Sequence, residues 1–195
     1  MNQKPYIIKE NAHGLDAVSI ETELFKSREI FLTDTVDADS MNDVIKQLMY
    51  LNREAPDKEI TLYINSPGGE VSSGLAVYDY MKMMQAPIRT VCIGTAASMG
   101  AILFLAGDRR EMLPHSRLMI HDPAPGGGSM QGMKPAQMEE QLGSLRKVQK
   151  VLCGLIAETT GQSLKAVRNK TKKDSFFDAE EAVSFGLATS IIDKI

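Results

Sequence analysis

The chain has no tryptophan and only two cysteines among its 195 residues, and aromatic residues make up 6% of it. Cys92 and Cys153 each sit in an apolar run, the setting of a small buried hydrophobe. Neither has the spaced partners of a zinc site, so no disulfide scaffold and no metal centre are expected. No apolar stretch is long enough to span a bilayer, so no membrane partner is expected. Excess basic charge is also missing. The 22 Lys and Arg against 25 Asp and Glu leave a net charge of -3, which argues against a broad nucleic-acid footprint. The opening Met1-Asn2-Gln3-Lys4-Pro5 lacks the basic-then-apolar pattern of a secretory leader, and a cytoplasmic location is expected. There is no internal repeat and no low-complexity tract.

What is present is an ordinary globular balance, 43% hydrophobic and 24% charged, with twelve methionines that suit a soft core or an adaptable docking surface. Residues 1–20 have weak periodicity and read as an exposed N-terminal arm or loop. Glu29–Leu32 reads as a strand. The apolar spacing from Ser40 to Arg53 predicts a helix capped by Asp39 or Ser40. Further strands are predicted at Ile60–Ile64, Ile88–Ile93 and Arg117–Ile120, with helices at Ser73–Met84 and Met99–Leu105. Gly94–Ser98 reads as a tight turn, and Gly107–Leu113 as another. A Pro/Gly-rich break over residues 123–128 precedes a helix from about Lys134 to Thr159. That helix is more than six turns long, too long for one small α/β core to cover, and is expected to project and pack on another subunit. Strand, turn, helix in succession is the signature of βαβ units and a largely parallel sheet.

In such sheets sites collect at the carboxyl ends of strands, where Gly68-Gly69, Ser98 and His121 all fall. Ser98 lies between small residues at a strand-to-helix turn, and a helix starting at Met99 aims N–H groups at whatever Ser98 attacks. A serine at a helix start is more often a plain N-cap. His121 closes an apolar strand, where neutral imidazole can take the serine proton near pH 7. His13 and His115 read as solvated turn residues. Two glycines after a strand permit a backbone that turns an N–H toward a carbonyl oxygen. These residues alone leave Asp122, Asp174 and Asp178 open as the partner of the histidine.

Three runs, Tyr63–Gly69, Gly94–Ala101 and Leu113–His121, resemble the ClpP peptidase family. So do Thr160-Gly161-Gln162-Ser163-Leu164 and Ala179-Glu180-Glu181-Ala182 leading to Gly186-Leu187. The resemblance covers nearly the whole chain, in order. It implies an α/β, ClpP/crotonase-like spiral of βαβ units with a projecting handle helix. Residues 1–20 would be an axial arm, 21–122 with 160–195 the head, and 123–159 the handle. It implies a serine endopeptidase of peptidase family S14, with Ser98 as nucleophile, His121 as base and Asp174 as the third member. The N–H groups of Gly69 and Met99 would form the oxyanion hole. Self-association into heptameric rings, stacked in pairs as a tetradecamer, would enclose the sites. An ATP-driven Clp/Hsp100 AAA+ unfoldase would feed unfolded polypeptides for degradation to short peptides. The peptidase itself would need no cofactor. The unfoldase-docking pocket would involve Met49, Tyr63, Met83, Ile93 and Ile192.

The chain departs from that pattern in places. The ring-contact run before Asp174 is acidic and basic in the family, but here Lys170, Lys172 and Lys173 make it nearly all basic, which disfavours contact between two identical copies. Lys173 also stands beside Asp174. The segment after His121 reads Asp122-Pro123-Ala124-Pro125-Gly126-Gly127-Gly128 in place of Gln-Pro-Leu-Gly-Gly, and the 107–113 turn is shorter. Methionine replaces aromatics in the docking pocket. These departures suggest a divergent second isoform that works best in a mixed complex with a more typical ClpP. Two other readings compete. One is a crotonase-fold hydratase or thioesterase, which needs no serine–histidine pair. The other is an assembly subunit with a degenerate site.

Overall fold

A computed structural model of the chain describes residues 5–12, 14–125 and 132–194. His13 and the Gly126-Gly127-Gly128 run lie outside them. Described elements follow in chain order: β1 (Tyr6–Asn11), β2 (Gly14–Ser19), α1 (Ile20–Lys26), β3 (Glu29–Leu32), α2 (Ala38–Glu54), β4 (Ile60–Ser66), α3 (Val71–Met83) and β5 (Ile88–Ala97). Then come α4 (Met99–Leu105), β6 (Arg109–Met112), β7 (Arg117–Ile120), α5 (Pro135–Thr160), α6 (Leu164–Thr171), β8 (Ser175–Phe177), α7 (Ala179–Phe185) and β9 (Ser190–Ile191).

The main sheet runs β3-β4-β5-β6-β9 in parallel. Strand β7 pairs in parallel with the far end of β5, and β8 closes the sheet antiparallel to β7. Alternation along the strands explains the core. Ile30 and Leu32 of β3, Leu62 and Ile64 of β4, and Cys92 of β5 share one sheet face and are all but fully buried. Helices α2, α3 and α4 cover the core with Val44, Leu48, Val77, Ile102 and Leu103. Each such side chain contributes about 1.5–3 kcal/mol by leaving water. Every residue of α4 is buried, so the helix after Ser98 is pinned on all sides.

Three local expectations need correction. The N-cap of α2 is Asp37, not Asp39 or Ser40. The Asp37 carboxylate accepts from Ser40 N–H at 2.8 Å while the Ser40 hydroxyl caps the Asp37 N–H in return. A reciprocal box of this kind satisfies two orphan donors, which moves the helix start upstream. Strand β5 continues through Gly94, Thr95, Ala96 and Ala97, because β7 pairs with that stretch, so the turn shrinks to Ser98 itself. The 107–113 stretch contains strand β6, held between β5 and β9. The stretch up to residue 20 holds an antiparallel hairpin, β1-β2, with Tyr6, Ile8 and Leu15 exposed.

Helix α5 has buried residues only toward its C-terminal end, at Leu152, Cys153 and Ile156. From Pro135 to Val151 none of its residues is buried, so that part stands clear of the chain's own core. Gly161, with φ 71°, ends it in the left-handed conformation that glycine adopts without a Cβ penalty.

Candidate active site

The sheet itself brings the site together. Ala97 of β5 is in register with Met119 of β7, and Ser98 N–H donates to the Met119 carbonyl at 2.9 Å. Ser98 and His121 therefore emerge from the carboxyl ends of two adjacent parallel strands. The His121 Nε2 lies 2.8 Å from Ser98 Oγ. Strand β8 then places Asp174. Ser175 is in antiparallel register with Ile120, so Asp174 and His121 face each other one step further on. Their closest approach is His121 Nδ1 to Asp174 Oδ1, at 3.4 Å. When Nδ1 carries the ring proton and donates toward Asp174, Nε2 is free to accept from Ser98.

Of the three open aspartates, the other two are engaged elsewhere. Asp178 caps α7, accepting from Glu181 N–H. Asp122 Oδ2 accepts from Gln149 Nε2 at 2.7 Å, and Asp122 N–H donates to the Thr171 carbonyl at 2.6 Å. Asp174 is the more open member of its pair, 65% exposed against 26% for His121.

Ser98 has φ 52° and ψ -121°, a positive-φ conformation for a residue with a side chain. Such a residue costs about 1–3 kcal/mol and persists where its surroundings over-determine it. Here the β7 pairing on one side and buried α4 on the other fix the bend. It presents Oγ at the first turn of α4, whose leading N–H groups have no acceptor within the helix. Met99 N–H is the first of these.

A further uncommitted N–H belongs to the Gly68-Gly69 strip. Val36 pairs with it through two bonds, Val36 N–H to Gly68 C=O at 2.9 Å and Glu70 N–H to Val36 C=O at 2.7 Å. Gly69 N–H takes no part in that pairing. Both glycines are required. Gly68 has φ 87°, and a Cβ there would lie 2.8 Å from Met99 N and from Ser98 Cβ, and closer still to Ala97 O. Gly69 has φ 151°, and a Cβ there would collide with Val36 O. The strip thus lies directly against the Ser98–Met99 turn. Sequence reading missed what holds it. Buried Ser66 donates through Oγ to the Asp34 carbonyl at 2.5 Å and accepts from Gly68 N–H at 3.2 Å. A hydroxyl closing a largely buried strand is the signal that marks it.

A pocket adjoins the pair, lined by Ser98 and His121 and by apolar side chains of α4 and α5, with Asp122, Gln149 and Thr171 as its polar members. Burial pushes the thiols of Cys92 and Cys153 up, and both are unbridged. His115 is exposed in a turn. Among the described residues no cluster of three or more His, Cys, Asp or Glu side chains is placed to hold a metal, and no helix is long and apolar enough to cross a membrane.

The docking and ring-contact candidates lie elsewhere. Met49 lines a shallow groove with Lys46, Tyr50, Arg53 and Glu54, and the other four docking candidates do not line it. Tyr63 is 7% exposed, stacks on Phe31 at 4.8 Å between ring centroids and donates to Glu29. Ile93 and Ile192 are half-buried, and Met83, at the end of α3, is 77% exposed. Lys170, Lys172 and Lys173 are exposed around the end of α6, with Lys170 Nζ 5.2 Å from the Phe177 ring centre. Asp174, next in the chain, faces His121 Nδ1 at 3.4 Å.

Compared with known families, residues 12–195 match the sequence model of the Clp protease family.

Proposed function

The chain belongs to the Clp protease family, and on that premise we propose that it is a serine endopeptidase subunit in which Ser98, His121 and Asp174 act as a triad. The observation that carries this reading is the 2.8 Å contact between His121 Nε2 and Ser98 Oγ at the start of a buried helix, beside a glycine strip with an uncommitted amide. A hydratase acting on thioesters needs no such pair, and a degenerate assembly subunit has no use for one.

The chemistry follows from the geometry. Ser98 Oγ attacks the peptide carbonyl as His121 Nε2 takes its proton. The Gly69 and Met99 amides receive the oxyanion, and because both belong to fixed backbone they need no reorganisation at that moment. His121 then gives the proton to the leaving amine. Water, activated by the same imidazole, hydrolyses the acyl-enzyme. Asp174 holds the imidazole in the donating tautomer and offsets its charge.

In this reading copies of the chain assemble in rings through the head, with α5 reaching across between two rings. An AAA+ unfoldase docks near Met49, Tyr63, Met83, Ile93 and Ile192 and threads unfolded protein inward, in the cytoplasm. The stretch of α5 that stands clear of the core, with Leu142 and Val151 exposed, supports a handle role. One observation favours a dependent subunit that pairs with a more acidic partner ring: the exposed Lys170, Lys172 and Lys173 cluster next to a loosely held Asp174.

The test is native mass of the purified chain together with hydrolysis of a fluorogenic peptide across the same fractions. Ser98→Ala should lower the rate on the order of a millionfold if the triad acts as a unit. Undiminished hydrolysis by Ser98→Ala would sink the assignment. Activity confined to a fourteen-subunit species favours self-sufficiency. Activity that appears only on mixing with a typical ClpP favours the dependent subunit.

A further inference from the structure

Strand β4 ends on a buried hydroxyl that the triad does not use. Ser66 is 1% exposed, and a shift in the β4–β5 register after Ile64 sets it opposite Ala96, two residues before Ser98. Gly100, in the first turn of α4, gives it room, since a Cβ there would lie 3.1 Å from the Ser66 carbonyl oxygen and 3.4 Å from Ser66 Cβ. A serine hydroxyl has one proton to donate and lone pairs to accept with. At Ser66 the proton goes to the Asp34 carbonyl at 2.5 Å, and a lone pair receives Gly68 N–H at 3.2 Å. Among the described residues no other side chain bonds the backbone of residues 67–70.

The peptide planes of the glycine strip are held one at a time. In a trans peptide the C=O of one residue and the N–H of the next point opposite ways. Val36 N–H holds Gly68 C=O at 2.9 Å, so Gly69 N–H is aimed away from Val36. Val36 C=O holds Glu70 N–H at 2.7 Å, which fixes the next plane. The plane before Gly68 is fixed at its N–H by the Ser66 hydroxyl. Gly68 has φ 87° and no Cβ to resist rotation once that bond is gone. We propose that Ser66 is a positioning residue for peptide hydrolysis: by bridging Asp34 and Gly68 it sets the direction from which Gly69 N–H meets the oxyanion. This rests on the peptidase reading above and deepens it, because Ser66 acts through the strip and not on the substrate. A hydroxyl that only satisfied a buried amide would support folding and leave the turnover of folded protein unchanged.

The experiment measures kcat, KM and Tm for Ser66→Ala in the full chain, with Thr90→Val as the control. Thr90 is buried in β5 outside the site and donates to the Phe104 carbonyl at 2.8 Å, so Thr90→Val removes a bond of the same kind. One oxyanion donor contributes on the order of 100- to 1000-fold in kcat, and a strip loosened but still held by Val36 forfeits part of that. Ser66→Ala should lower kcat roughly tenfold to a hundredfold with KM within about threefold of the parent, because the amide bonds the oxyanion more strongly than the ground-state carbonyl. Thr90→Val should keep kcat within about threefold. A kcat for Ser66→Ala within about threefold of the parent overturns the proposal, as does an equal fall in both variants or a loss confined to KM. Should Ser66→Ala not fold, Ser66→Cys, whose thiol is a weak donor and a weak acceptor, is held to the same limits. If the parent cleaves no peptide, the peptidase reading fails separately, and amide hydrogen exchange judges the anchor. Exchange over residues 67–70 at least about tenfold faster in Ser66→Ala than in Thr90→Val supports it, and equal exchange rejects it.

Discussion

Adding one methyl group at Gly68 tests the geometry of the site most directly. A Cβ at this position would sit 2.8 Å from Met99 N and from Ser98 Cβ, against the 3.4–4 Å of ordinary contact. The Ala97 carbonyl is nearer still, and none of these is the tip of a flexible side chain that can swing away. Relief therefore requires the glycine strip and the Ser98 turn to part by about half an ångström or more. Gly68 also has φ 87°, where a side chain adds about 1–2 kcal/mol of its own. That conformational term lowers Tm by about 2–8 °C for a chain of this size. Catalysis should suffer more than folding. Moving Gly69 N–H off the developing oxyanion is equivalent to deleting one donor, and costs on the order of 100- to 1000-fold in kcat. The assay is peptide hydrolysis by Gly68→Ala, with melting followed in parallel. A folded Gly68→Ala with kcat within threefold of the parent would refute the assignment of this strip to the oxyanion site.

Asp174→Asn should be milder than loss of a buried triad acid. The 3.4 Å contact and 65% exposure point to a fall in kcat near tenfold, not the roughly ten-thousandfold seen when a buried acid is lost, and a fall beyond a thousandfold would contradict this. Burial pushes both thiols up, so each stays protonated and unreactive until well above neutral pH. Native protein at neutral pH should therefore resist N-ethylmaleimide, and mass spectrometry should find both cysteines labelled only after unfolding. If Lys170, Lys172 and Lys173 repel across a contact between identical copies, native mass should rise between low and high salt, because screening shortens from about 30 Å at 0.01 M to about 3 Å at 1 M. Reversing one charge, Lys172→Glu, should raise it at low salt, and a mass indifferent to both would dismiss repulsion.

Ser98 and His121 were legible because their cues are local. Each ends an apolar strand, and one starts an apolar helix, so a few residues of context place both at the same sheet edge. The acid was not legible without the family resemblance. Asp174 reaches His121 through the pairing of β7 with the three-residue β8, a contact between stretches far apart in sequence. Strand β6 escaped because Arg109-Arg110-Glu111-Met112 has no apolar alternation. It is a strand by virtue of neighbours on both sides and of ion pairs such as Arg89 with Glu111 at 2.6 Å. The extension of β5 escaped for the opposite reason. Gly94, Thr95, Ala96 and Ala97 are small enough to read as a turn, yet Asn65 packs against Gly94 and accepts from Thr95 N–H, keeping the backbone extended. The Asp37 cap lay two or three residues outside the expected boundary, where only the reciprocal bond to Ser40 distinguishes it from neighbouring acids.

These contrasts divide the site into parts held with different firmness. Ser98, His121 and the glycine strip are set by parallel pairing and by a wholly buried helix, so the proposed nucleophile, base and oxyanion donors come with the fold of one chain. Asp174 immediately precedes a short edge strand, is mostly exposed, and follows directly on Lys172 and Lys173. The same stretch therefore contains the acid proposed to orient the imidazole and the charges that face outward. A partner surface that neutralised those lysines would also restrict the backbone next to Asp174 and shorten its reach to His121. Contact at that edge and competence of the triad are then one equilibrium, which gives the proposed dependence on a complementary ring a physical route into the chemistry.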